Sequence, residues 1–308
     1  MTRKTRVAVI GVGHLGQHHA RIFAATPEAD LVAVVDTKPG RAAEIAAKYQ
    51  TLALTDPASL VGRVDAVTIA TPTASHVDTA LPFIQAGVAV LVEKPIAASL
   101  AEADRLIAAA AARGSLLATG HTERFNPAVT AAAGLVARPR FVEVHRLGTF
   151  PERSLDIDVI FDLMIHDLDI LLALVGSEVT AVEAVGVNVL TPRVDIANAR
   201  LRFASGCIAN VTASRISRDR VRKARFFQHD AYVSIDYAAQ ELEMYQLVPQ
   251  NGGRPVIQGG RVDVASDEPL RRELADFLAA IRDRRLPAVS GLDGRAALAL
   301  ATRVAEGM

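Results

Sequence analysis

Asp162 and His166 stand four residues apart in the stretch Asp162-Leu163-Met164-Ile165-His166-Asp167-Leu168-Asp169. On a helix that spacing puts a carboxylate and an imidazole on one face, the arrangement of a general base and the group that orients it. The same residue types also suit a helix with an acidic outer face and a hydrogen-bonded histidine. A metal site is a third reading and ranks last, because no second histidine or carboxylate cluster at ligand spacing accompanies the stretch. A second candidate is Gly11-Val12-Gly13-His14-Leu15-Gly16, which follows the apolar run Val7-Ala8-Val9-Ile10 and opens a helical pattern. One glycine permits a tight turn, one lets backbone N–H groups approach a pyrophosphate, and one lets helix and strand pack closely. Asp36 ends the next apolar run, about twenty residues on, where an acidic side chain meets ribose hydroxyls. Together these predict a dinucleotide, with NAD preferred and NADP possible through Lys38.

These groups need elements to hold them. Short β-branched runs at Val7–Ile10, Leu31–Val35, Ala66–Ala70, Val88–Val92 and Leu116–Thr119 alternate with alanine-rich helical patterns near 15–25, 40–48, 75–86 and 99–113. Such βαβ alternation predicts a parallel sheet wound on both faces, whose ligands sit at the carboxyl ends of the strands. Thr71-Pro72-Thr73 and Glu93-Lys94-Pro95 directly follow strands and therefore point at the cofactor crevice. Proline holds Lys94 extended, which fits either a surface turn or a lysine set beside a substrate hydroxyl. His14, His18 and His19 offer zinc-like spacing, but the positive helix end facing a phosphate favours packing or cofactor contact.

Beyond Gly120 the pattern changes. A helix is expected at Asn126-Pro127, an extended run at Arg140–Leu147 and a helix at Phe161–Val175. Strand-like runs then dominate, at Val182–Leu190, Ala197–Phe203, Ile208–Ser214, Ala224–Phe227, Tyr232–Tyr237 and Leu242–Val248, before closing helices near 268–284 and 293–306. The expected class is α/β: an N-terminal Rossmann, doubly wound parallel sheet plus a C-terminal α+β domain with an open, mostly antiparallel sheet. The boundaries are 1–121 for the NAD(P)-binding domain, with 291–308 expected to pack back on it, and 122–290 for substrate binding and oligomerisation. In His121-Thr122-Glu123-Arg124-Phe125-Asn126-Pro127, Arg124 and Asn126 offer a cation and an amide to a polar substrate, or Asn126 is a plain helix cap.

The bulk numbers bound the partners. In 308 residues, 34 basic balance 34 acidic side chains, so no global field would hold nucleic acid or an anionic membrane. Cys207 is the only cysteine, which rules out an intrachain disulfide and fits a reducing, cytoplasmic setting. The basic start before Val7 mimics a signal peptide, but its apolar run is short and broken by glycine. No apolar run reaches membrane-spanning length.

The order of the glycine turn with Asp36, then Glu93-Lys94-Pro95, then Asp162-x3-His166 resembles the glucose–fructose oxidoreductase, inositol dehydrogenase and MocA family across nearly the whole chain. The resemblance implies an oxidoreductase acting on CH–OH groups with NAD or NADP, assembled as a homodimer or homotetramer through the C-terminal sheet. It implies that Lys94 and His166 flank the reacting hydroxyl with Asp162 in support. It further implies cofactor contacts from Gly11, Gly13, His14, Leu15, Gly16, Asp36, Thr37, Thr71, Pro72, His76, Glu93 and Lys94. Arg124, Asn126, Arg146 and Arg153, together with Lys94 and His166, would hold the substrate, and no metal is implied. The segments Gly120–Pro127 and Phe161–Ile170 look most like members of the UDP-N-acetylglucosamine 3-dehydrogenase type, which implies oxidation of a nucleotide sugar at C-3 to a 3-keto sugar. A free sugar or cyclitol is the alternative substrate, and a non-catalytic dinucleotide sensor or scaffold the alternative class. Asp158 departs from relatives that carry a small residue there, an extra carboxylate expected to alter the pocket.

Overall fold

The computed structural model describes residues 3–150, 157–250 and 254–308. The chain divides into two compact units, one running to Thr122 and including Leu270–Arg295, the other formed by Glu123–Pro269 and Ala296–Met308.

In the first unit, β1 (Thr5–Ile10), β2 (Ala29–Val35), β3 (Leu52–Leu54), β4 (Ala66–Ile69), β5 (Ala89–Glu93) and β6 (Leu117–Gly120) form one sheet in the order β3-β2-β1-β4-β5-β6. Every pairing is parallel. The helices α1 (Gly16–Ala25), α2 (Pro39–Tyr49), α3 (His76–Gln85) and α4 (Leu100–Arg113) make the crossovers. Local chemistry sets their ends. Proline opens α2 at a position that needs no N–H. Ser99 caps α4 by accepting from Glu102 N–H while the Glu102 carboxylate reaches back to Ala98 N–H, and Gly114 closes it in the left-handed region. Strands β1, β4 and β5 are apolar and almost wholly buried, as a sheet covered on both faces requires.

In the second unit, α5 (Pro127–Ala132) precedes β7 (Phe141–Leu147), and a π-helical turn (Ile160–Met164) runs into α6 (Ile165–Val175). Strands β8 (Val179–Val187), β9 (Ile196–Phe203), β10 (Ile208–Ser214), β11 (Val221–Phe227), β12 (Ala231–Asp236), β13 (Glu241–Val248) and β14 (Val256–Val262) complete an eight-stranded sheet. Its order is β14-β13-β12-β11-β7-β10-β9-β8, antiparallel except for the β7–β10 pair. Alternation along the strands gives it two faces. Val142, Val144, Leu201, Val211, Phe226, Val233 and Ile235 enter a core with Val129, Ile160, Leu168 and Leu171, while the other face carries polar and aromatic side chains.

The last two helices differ from expectation. Helix α7 (Pro269–Asp283) buries Leu270, Leu274, Phe277 and Leu278 in the core of the first unit. In α8 (Gly291–Glu306) only the first turn belongs there, with Gly294 against Thr119 and Arg295 paired to Asp104. Its apolar stripe, Ala297, Leu300, Ala301 and Val304, enters the core of the second unit. The segment 291–308 therefore does not pack back as a whole on the first domain; the spacing of that stripe at i, i+3, i+4, i+7 decides which core receives it.

Candidate active site

The glycine turn does three separate jobs. Gly11 has φ of +82°, and a Cβ there would lie 2.7 Å from the Ala70 carbonyl oxygen. At Gly16 a Cβ would fall 1.8 Å from the Gly11 carbonyl oxygen, so this glycine lets α1 close on β1. At Gly13 a Cβ would meet nothing within 4 Å, because this glycine faces a cavity of about 610 Å³. The cavity is lined by Gly11, Gly13, His14, Asp36, Thr37, Thr71 and Pro72, seven of the residues the sequence nominates. Lys38, raised by the sequence for the extra phosphate of NADP, also lines it, and the structure adds Gln17, Arg41, Thr55, Ser75 and Thr79 to its wall, residues whose separate segments share no local motif.

Asp36 is fixed at the rim. One carboxylate oxygen accepts from Val12 N–H at 3.2 Å and the other from Lys38 N–H at 3.0 Å, which orients the acid with lone pairs to spare for hydroxyl donors. Arg41 is tied to Val12 O, Gln17 and Glu44, so its charge is already matched. A bare cradle at Gly13, an electropositive helix start and an oriented carboxylate together fit a dinucleotide, with pyrophosphate at the turn and ribose at Asp36.

Other nominated residues support this wall without lining it. Leu15 is exposed at the start of α1. His76 is buried with its two ring nitrogens each 2.9 Å from a carbonyl oxygen, those of Pro95 and Thr71, so it links the two loops that follow β4 and β5. Burial pushes its pKa down, against the pull of those carbonyls and of Glu93. Glu93 is likewise buried: Oε1 lies 3.1 Å from His19 Nε2, Oε2 accepts from Lys94 N–H, and a Cβ on Gly120 would strike the carboxylate at 2.7 Å. Glu93 thus clamps the backbone of Lys94, which is half-buried immediately beyond the end of β5.

In the second unit, the helix carrying Asp162 and His166 is not uniform. Asp162 sits in the π-helical turn and His166 in the first turn of α6, and both are half-buried. Turns of this kind widen a helix by one residue and recur at functional sites. Their neighbours face inward. Asp167 makes a two-pronged pair with Arg146, at 2.7 and 2.9 Å, and Asp169 holds Arg124 in the same way. Burial alone would lower the Arg146 pKa, but Asp167 and Glu123 hold it above its ordinary value, while its guanidinium lies 5.3 Å from the Tyr237 ring.

These pairs already engage two of the expected substrate contacts. Arg146 is buried and committed to Asp167 and Glu123, and Arg124 to Asp169, because a desolvated cation without a carboxylate would be prohibitive. Asn126 is buried as the cap of α5, accepting from Ala128 N–H and donating to Tyr237 O. Arg153 lies outside the described residues. Asp158 accepts from Val194 N–H at 2.9 Å, which ties the start of the helix to the connection between β8 and β9 and gives the carboxylate there a structural partner. Cys207 is buried, and burial pushes its thiol up to about 11, so it is no nucleophile. Among the described residues, no group of three His, Cys, Asp or Glu side chains could hold a metal ion, and no helix is long and apolar enough to cross a membrane.

A cradle for a dinucleotide, a lysine fixed at the carboxyl edge of the same sheet, and an Asp-x3-His pair in a second unit define a nucleotide-dependent oxidoreductase. Residues 5–121 match the oxidoreductase family with an NAD-binding Rossmann fold, and residues 131–231 match the GFO/IDH/MocA C-terminal domain. The chain belongs to the GFO/IDH/MocA family of NAD-binding oxidoreductases. It is 43% identical to UDP-N-acetylglucosamine 3-dehydrogenase of Acidithiobacillus ferrooxidans, over 97% of this chain and 96% of that protein. The solved structure of that dehydrogenase superposes with a TM-score of 0.93 over 100% of this chain and 98% of the other, at 40% identity. Scyllo-inositol 2-dehydrogenase (NAD(+)) of Bacillus subtilis is 28% identical over 95% of this chain and 91% of that protein.

Proposed function

We propose that this protein oxidises the C-3 hydroxyl of UDP-N-acetylglucosamine, or of a closely related nucleotide sugar, with NAD to give the 3-keto sugar. The observation that carries this reading is the 43% identity, sustained over both units, to an enzyme of that name. The bound nicotinamide supplies the hydride acceptor. Lys94 is held by the Glu93 clamp at the edge of the sheet that carries the cofactor cradle, and it hydrogen-bonds the reacting hydroxyl in this scheme. His166 accepts the hydroxyl proton, and Asp162 orients the imidazole. A cytoplasmic setting and assembly through the open face of the eight-stranded sheet complete the reading.

The test is a panel of nucleotide sugars, free sugars and cyclitols, read as NADH absorbance. UDP-N-acetylglucosamine is expected to give the highest kcat/KM. A higher value with an inositol would transfer the assignment to the cyclitol reaction of the Bacillus subtilis relative. Lys94→Ala and His166→Ala are each expected to lower kcat by about two to four orders of magnitude, the usual worth of a positioned proton acceptor, and unchanged turnover would remove their roles.

A further inference from the structure

A nucleotide sugar brings a diphosphate, and two of the arginines nominated by the sequence for it, Arg124 and Arg146, are paired with carboxylates. In the second unit Arg124, Arg146, Arg215 and Arg225 each face a carboxylate. The run Arg218-Asp219-Arg220-Val221-Arg222 is different. All three of its arginines are exposed, and among the described residues none has a carboxylate within ion-pair distance; Arg220 donates only to the Thr149 hydroxyl, at 3.2 Å.

Register places this run. Strand β11 pairs antiparallel with β7, so that Val221 lies opposite Leu147 and Arg222 opposite Arg146. Directly opposed residues share a sheet face, which puts Arg222 on the side of buried Arg146 and its partner Asp167, next to His166 in sequence. The positive field of Arg222 reaches the Asp167 carboxylate. Other uncommitted arginines are placed differently: Arg138 and Arg140 lie before the first residue of β7, at its other end, and Arg202 lies opposite Ile208 on the open face. Asp219 is the only acid within the run, so the run itself carries an excess of positive charge.

We propose that Arg220 and Arg222, with Arg218 in the bend before them, bind the diphosphate of the nucleotide sugar. This rests on the substrate reading above. Guanidinium groups without carboxylate partners among the described residues suit two-pronged contacts to phosphate oxygens, and their exposure leaves them reachable.

Calorimetric titration with UDP in the presence of NADH, alongside steady-state kinetics, tests it on the double variant Arg220→Gln/Arg222→Gln. Its UDP dissociation constant and its KM for UDP-N-acetylglucosamine are expected to rise about tenfold or more, with kcat within about twofold and NADH affinity unchanged. Arg222→Lys should recover part of the loss, and Arg138→Gln should behave as the parent. Constants within about twofold of the parent would overturn the assignment while leaving the substrate reading intact. A parent protein that neither binds UDP nor turns over its sugar would overturn both. An equal loss of affinity for N-acetylglucosamine 1-phosphate would show a monoester site and refute the diphosphate.

Discussion

A neutral imidazole carries one N–H, yet His76 has a carbonyl oxygen 2.9 Å from each ring nitrogen. Only the protonated ring satisfies both, but burial outweighs those carbonyls and Glu93 and pushes the pKa down. The folded protein therefore holds His76 neutral where the unfolded chain, titrating at about 6.5, takes up a proton. Protons bound preferentially by the unfolded state destabilise the fold, so this contribution is intact above about pH 6.5 and is lost progressively as pH falls toward the lowered folded value. Thermal melts between about pH 7 and pH 5 should show a Tm decline that is shallower in His76→Asn, measured against the parent at each pH. The variant should also be less stable at neutral pH by about 1–3 kcal/mol, the cost of disturbing a buried hydrogen-bonding group. Equal slopes would mean that other groups carry the acid sensitivity.

At the scale of the element, the three glycines of the first turn have separable consequences. Gly16→Ala sets a Cβ on the Gly11 carbonyl, a backbone group that cannot swing aside as a side chain would, and should cost about 2 kcal/mol or more of stability in denaturant unfolding. Gly13→Ala meets open space and should fold with a nearly unchanged midpoint, yet raise the NADH dissociation constant about tenfold, because the methyl group enters the cradle. Equal stability losses in the two variants would contradict this division of labour. The crossover elements were legible because their periodicities are long and clean. Strand β3 was not, since Leu52-Ala53-Leu54 is only a three-residue edge, nor was β14, whose Gly259-Gly260 pair interrupts any strand pattern. The expected strand at Val182–Leu190 is displaced to Val179–Val187 because the N–H groups of Val189, Leu190 and Thr191 donate to the buried Asp195 carboxylate instead of a ladder. In the site, the residue types were readable but their commitments were not. Nothing in the sequence says that Asp167 and Asp169, beside the candidate base, pair with two of the three arginines nominated for substrate, since those pairs span 21 and 45 positions.

At the scale of the whole molecule, the second sheet keeps one face uncovered by its own helices, and its register explains what that face offers. Across the strands run Glu183, Arg200, Asn210, Glu143, Arg225, Ser234, Glu243 and Arg261, acids and bases interspersed. Beside this row stand the rings of Phe141, Phe227, Tyr232 and Tyr245, successive centroids 5.7, 5.2 and 6.3 Å apart, and toward the edge Leu247 and Ile257 are 50% and 76% exposed. Such a row can meet its own reverse, acid to base, which is what a two-fold contact between identical surfaces demands. Eight strands about 4.8 Å apart and about seven residues long present roughly 800 Å², the area that one partner contributes to a stable interface. A second copy of this chain is therefore the expected occupant. Arg225→Glu would set like charges opposite Glu143 within the sheet and in the partner's row, so sedimentation should show the parent as a dimer or larger and the variant shifted to smaller species. The intrachain part of that change costs about 0.2–1 kcal/mol, too little to unfold the sheet, so the loss of mass should appear with only a small fall in Tm. A parent protein that sediments as a monomer at micromolar concentration would exclude the face as an interface between copies.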